Sequence, residues 1–195
     1  MKKVNTMATF LDNKKLSQIK TEIEKFDSER ETIIKQSRDI IKSAKHAIYS
    51  VHRKDMKTAK QLIDDAQKNI KKLRNATQHT DAIGAFNASL EEYVEACCFY
   101  AFVEKKNIPT HKDLKVNYEQ YLLGLCDLTG ELGRRAVLEA TNKNIKEVQH
   151  IKNIIDEIYG FFSQLNLGNS ELRKKSDSIK WNLKKVEDLL YDLKK

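Results

Sequence analysis

Pro109 is the only proline among 195 residues, and only six glycines accompany it. Proline and glycine are the residues that most often stop helices and turn chains. A chain so poor in both is built most cheaply from long helices, and its apolar spacing agrees. Helical period runs over about residues 8–53, through Phe10, Leu11, Leu16, Ile19, Ile23, Phe26, Ile33, Ile34, Ile40, Ile41, Ile48 and Val51. Further helices are predicted over about 55–74, 80–105, 117–140, 143–165 and 171–193. Pro109 ends the third, and Thr110 with Asp113 can cap a short helix after it. No segment alternates with the period of a strand. The expectation is an all-α bundle of six or seven helices occupying residues 1–195 as a single domain.

A chain of this length can bury a real core. Its charged residues make up 33%, but they are interleaved with regular apolar positions, so a disordered polymer is excluded. No apolar run reaches the roughly 18 residues a membrane span needs. The N-terminus has two lysines and no apolar segment after them, unlike a secretory signal. Cys97 and Cys98 are adjacent and Cys126 stands apart, which suits neither a disulfide framework nor a CxxC metal site. Three reduced core cysteines in a cytoplasmic protein are expected. The net charge of +8 favours an anionic partner, although a solvated lysine-rich surface gives the same value.

Two helices carry acids that a plain bundle does not need. In the third helix, Leu90, Val94, Cys97 and Ala101 share one stripe, while Glu92, Glu95 and Phe99 fall roughly opposite. The remaining positions there are also largely apolar, so the helix should be central and its carboxylates near the interior, where they need compensation. In the next long helix, Asp127, Glu131 and Arg134 oppose Leu122, Leu125, Thr129, Leu132, Ala136 and Ala140. Gly124, Gly130 and Gly133 interrupt that pattern at about 1 kcal/mol each, so a close neighbour is expected there. One reading joins Glu92, Glu95, Asp127 and Glu131 in a cluster that binds magnesium or manganese through hard oxygen ligands. The plainer reading pairs Glu131 with Arg135 and Asp127 with nearby cations, and leaves Glu92 and Glu95 in solvent.

The segments Glu92-Tyr93-Val94-Glu95 and Asp127-Leu128-Thr129-Gly130-Glu131 resemble the acidic motifs of the translin family, whose two branches are translin and translin-associated factor X. Ser37-Arg38-Asp39-Ile40 through His52-Arg53 resembles the factor X branch, and Leu165 through Leu193 is closer to translin. The similarity runs from about residue 20 to the end, in chain order. It implies a seven-helix fold, hollow homo-oligomers or mixed octamers with a translin-like partner subunit, and binding of single-stranded RNA or DNA. It also implies that Glu92, Glu95, Asp127 and Glu131 hold Mg2+ (or Mn2+) for endoribonuclease chemistry. Because one chain combines features of both branches, a compact form that assembles with itself, as in archaeal relatives, is the simplest expectation.

Candidate phosphate contacts are Arg38, Lys45 and Arg53 on the first helix, Arg134 and Arg135 beside Glu131, and Arg173, Lys174 and Lys175 opening the last. For each, a solvated charge or an intrahelical ion pair is the alternative. His52 is expected to pack or cap, Trp181 and Tyr191 to serve core or subunit contact, and Tyr93 and Phe99 to pack or to stack on bases. Three functions stay open: a metal-dependent endoribonuclease, a non-catalytic single-stranded nucleic-acid binder, and a helical scaffold whose acids are ordinary ion-pair partners.

Overall fold

The structure, a computed structural model, describes residues 12–74 and 83–195. Its helices are α1 (Asn13–His52), α2 (Met56–Leu73), α3 (Ile83–Val103), α4 (His111–Leu114), α5 (Tyr118–Thr141), α6 (Ile145–Ser163) and α7 (Glu171–Leu193). No strand occurs among the described residues. The all-α expectation therefore holds, with the short α4 as one of seven described helices. The predicted starts near residues 8 and 80, and the side chains of Phe10 and Leu11, lie outside the described residues.

Local chemistry sets the boundaries. Asp55, Thr110, Asn117, Asn144 and Ser170 each sit at an N-cap, where the side chain accepts a backbone N–H of the first turn. At Thr110 the cap is a full capping box with Asp113. Lys54, Lys115 and Lys143 take left-handed backbone conformations in the tight turns that follow α1, α4 and α5.

The packing order explains why α3 is greasy on nearly every side. Helices α1, α2 and α3 pack on one another, α5, α6 and α7 do the same, and α3 and α5 join the two sets. Tyr93, Val94, Cys98 and Phe99 on α3 and Leu128 and Leu132 on α5 are essentially solvent-free in the shared core. Gly124 permits the close approach of these two helices. A Cβ there would meet Val94 Cβ at 2.7 Å and the Glu91 carbonyl oxygen at 2.8 Å. The expectation of a close neighbour holds at that glycine alone. Gly130 has only ordinary contact, 3.9 Å from Asn182, and Gly133 has open space.

The apolar stripe of α1 is only half covered, and one further expectation is corrected. Helix α1 is 40 residues long, about 60 Å at 1.5 Å per residue, and only its second half is buried. Leu16, Ile19 and Ile23 continue the apolar stripe but are exposed among the described residues. Trp181 and Tyr191 are 66% and 65% exposed, which removes the core role and leaves surface contact. The three cysteines are free and buried. No described helix is long and apolar enough to cross a membrane.

Candidate functional site

Glu92 and Glu95 lie one turn apart on α3, and Asp127 and Glu131 lie one turn apart on α5. Because Gly124 lets α3 and α5 touch, both turns open into one cavity of about 630 Å³. Lys45 of α1, Arg134 of α5 and Lys175 of α7 complete its charged wall, with the half-exposed Tyr49 ring at its side. The sequence expectation that four acids converge is met at the level of a shared cavity.

Three of the acids have cationic partners. Lys45 Nζ lies 3.0 Å from Glu92 Oε1, and Lys175 Nζ lies 2.7 Å from Asp127 Oδ2. Lys175 also reaches Glu91 Oε2 at 3.2 Å. Glu131 receives the His52 ring through Nε2, and Arg134 Nη1 stands 3.7 Å from the same carboxylate oxygen. These contacts shift proton affinities in opposite directions. The His52 hydrogen bond holds Glu131 below the ordinary carboxyl value. Lys45 and Lys175 are raised, Lys45 chiefly by its hydrogen bond to Glu92, and Lys175 by Asp127 and Glu91 against the cost of its burial.

Glu95 differs from the other three. It is only 8% exposed, and its carboxyl accepts no hydrogen bond and joins no ion pair among the described residues. Burial first, and then the negative charges of Asp127, Glu92 and Glu131, push it up to about 8. A carboxyl that is both buried and surrounded by like charge is stable only when protonated or when a cation enters.

The donor set is all hard oxygen, which suits magnesium or manganese. Among the described residues, however, no three His, Cys, Asp or Glu side chains already converge as a metal cage. Glu92 and Asp127 are turned toward Lys45 and Lys175 instead. The oxygen donors suit a divalent ion by type, and rotation of Glu92 and Asp127 off their lysines would bring carboxylate oxygens together within the cavity.

Of the eight basic candidates, Lys45, Arg134 and Lys175 line the cavity. Arg53 stacks over the Tyr49 ring at 5.5 Å and donates to its hydroxyl at 2.9 Å, close beside it. Arg38 is exposed two turns before Lys45 on nearly the same face of α1. Arg173 and Lys174 are exposed near the start of α7 and do not line this cavity; Arg173 stands 3.7 Å from Asp177. Arg135 is corrected as a phosphate contact: it is buried, 2.8 Å from Glu139, which Asn144 also holds at 2.8 Å. The suggested Glu131–Arg135 pair is therefore not made. Tyr93 and Phe99 are also buried in the core, which removes base stacking.

Sequence reasoning missed two participants. Glu91 shares Lys175 with Asp127 without lining the cavity itself, and nothing local distinguishes it from its neighbour Glu92. His52 does pack as expected, 4.7 Å from the Phe99 ring, yet it also holds Glu131. Its position seven residues after Lys45, on one face of α1, was the available signal.

Comparison with known proteins identifies the fold and the family. The translin family profile matches residues 28–194. An uncharacterised protein of Methanocaldococcus jannaschii is 32% identical over 191 residues, covering 95% of this chain and 80% of that protein. The solved structure of apo-NeC3PO is similar with a TM-score of 0.87 and 26% identity, covering 95% of this chain and 99% of that one. AfC3PO solved with duplex RNA gives a TM-score of 0.82 at 21% identity, covering 92% and 96%. The chain belongs to the translin family.

Proposed function

We propose that this protein is a nucleic-acid binding, divalent-metal-dependent endoribonuclease whose reaction centre is the cavity between α3 and α5. The observation that carries this reading is Glu95. In a scaffold of ordinary ion pairs, a buried carboxyl at the meeting point of three other acids would have a partner of its own. Its lack of one supports the reading that a cation belongs beside it.

Glu92, Glu95, Asp127 and Glu131 are the residues that would hold Mg2+ or Mn2+. Such an ion supplies Lewis-acid polarisation of a phosphoryl oxygen and a more acidic water. The rest falls to the chain. Lys45, Lys175 and Arg134 bring positive charge to the rim, where it neutralises phosphates and holds the strand over the acids. Tyr49 offers an exposed ring on which a base can stack. Glu95 would give up its proton to solvent on cation binding, so filling the site would be coupled to proton release below about pH 8. Ile48 of α1 and Cys126 of α5 add apolar surface to the lining, and the field of the acids is screened less there than at the open surface.

RNA as the ligand class is supported by the family and by the duplex RNA bound to AfC3PO. Preference for single strands, self-assembly into an octamer and use of a translin-like partner subunit come from the family resemblance. The second reading, a binder without catalysis, is favoured by the pairing of Glu92, Asp127 and Glu131 to cations already present in the chain.

A cleavage assay separates the two. Single-stranded RNA, duplex RNA and single-stranded DNA are incubated with wild type, Glu92→Ala and Asp127→Ala across a titration of magnesium and manganese. The nuclease reading expects cutting of RNA that EDTA abolishes and both substitutions remove, with binding retained. Tight, salt-sensitive binding without any metal-dependent product supports the binder. Neither binding nor cutting supports the scaffold.

A further inference from the structure

His52 is the last residue of α1, and its side chain is almost withdrawn from solvent, 9% exposed. One face of its ring lies on Phe99, with centroids 4.7 Å apart and planes at 44°, and Phe99 itself is fully buried. The Nε2 edge points at Glu131 Oε2. A carboxylate oxygen only accepts, so this contact is attractive only when Nε2 carries the hydrogen. The donor comes from a residue 79 positions away in sequence, on a helix that packs on α3. Arg134 approaches the same oxygen at 3.7 Å, but it is 60% exposed, so its hold on the carboxylate is weak.

We infer that His52 is a positioning residue of the carboxylate cluster, whose Nε2–H fixes the Glu131 carboxylate in the orientation the cavity needs. This rests on the reading of the cavity as a divalent-cation site. His52 does not itself line the cavity and is too enclosed to meet a substrate, so it acts through Glu131. Phe99 fixes the plane of the imidazole, the imidazole fixes Glu131, and Glu131 faces Glu95 and Asp127. Hydrogen-bond partners behind ligating carboxylates commonly account for about 10–100-fold in metal affinity. The weak charge-pairing of Arg134 cannot substitute for a buried, aligned donor.

The alternative is that His52 is simply a buried imidazole satisfied by the nearest acid. Metal affinity separates the two without any measurement of turnover. Manganese binding is measured calorimetrically on the full chain, without RNA, for wild type, His52→Phe and His52→Gln, with thermal unfolding of each in EDTA. Phenylalanine keeps the packing on Phe99 and removes the donor; glutamine keeps an N–H donor and loses the ring. The inference expects Mn2+ affinity to fall about 10–100-fold in His52→Phe and to recover to within about fivefold of wild type in His52→Gln.

Wild-type-like Mn2+ affinity in a folded His52→Phe variant overturns the inference and leaves the cation site standing. Failure of His52→Gln to recover also overturns it, because the imidazole is then needed as itself and not as a donor. Should His52→Phe fail to fold, His52→Gln decides alone: affinity within about fivefold of wild type supports the inference and a larger loss refutes it. If wild type binds no Mn2+, the divalent-cation reading fails and this inference falls with it.

Discussion

Replacing Glu95 by glutamine should change the pH dependence of stability in a defined direction. Raising a carboxyl from 4.5 to about 8 corresponds to an ionisation cost of about 5 kcal/mol in the folded protein, at roughly 1.4 kcal/mol per pH unit. Lys45 and Lys175 can adjust and water enters the cavity, so a working expectation is about half of that, ~2–3 kcal/mol. The folded protein holds this proton more tightly than the unfolded chain. Its stabilising contribution is therefore complete below pH 4.5, declines as pH rises from there, and is gone once pH passes about 8. Glu131 has the opposite sign: held below its ordinary 4.5, it costs stability only as pH falls through the acidic range beneath that value. Between pH 5 and 8.5 the difference between wild type and Glu95→Gln thus isolates Glu95. Glutamine matches the protonated acid in shape and does not titrate. Denaturant unfolding in EDTA should give nearly equal stabilities at pH 5 and an advantage of ~2–3 kcal/mol for Glu95→Gln at pH 8.5. An unchanged difference at the two pH values refutes the account of Glu95 as a buried, cation-starved carboxyl.

Gly124→Ala should lower stability by about 1–3 kcal/mol, because its Cβ collides with Val94 and the Glu91 carbonyl, and thermal unfolding reads this directly. The same variant should bind Mn2+ more weakly, since α3 must shift relative to α5. Lys45→Met and Lys175→Met should each weaken RNA binding and reduce the salt slope of log K by about one, as fluorescence anisotropy at several salt concentrations would show. A slope unchanged in both removes these lysines from the phosphate path. Arg135→Ala should destabilise the fold by about 3–5 kcal/mol by stranding buried Glu139, while Arg134→Ala should leave unfolding nearly unchanged and weaken RNA binding. The reverse pattern would contradict the assignment of the two arginines.

Helix positions were legible in the sequence because the signals are local. Asp55, Thr110, Asn117, Asn144 and Ser170 cap their own helices, and each predicted boundary within the described residues falls close to the observed one. The identity of the four acids was legible as well, from two one-turn pairs on otherwise apolar helices and from the family motifs. What the sequence left open depends on which helix touches which. Arg134 and Arg135 are adjacent, and only the packing of α5 places one on the cavity and the other against Glu139. The stripe through Leu16, Ile19 and Ile23 is as regular as the buried one at Ile33 and Ile40, but burial needs a neighbour, and the described residues supply none there. His52 could be expected to pack, yet its bond to Glu131 required α1 and α5 to be seen together.

A divalent ion held jointly by Glu92, Glu95, Asp127 and Glu131 would reveal itself by anomalous scattering. Crystals grown with manganese and measured at the manganese absorption edge test this most directly. The expected result is an anomalous peak inside the α3–α5 cavity with carboxylate oxygens at roughly 2.0–2.4 Å, and its loss in Asp127→Ala. Anomalous density elsewhere on the molecule, with Lys45 and Lys175 still seated on Glu92 and Asp127, would contradict it.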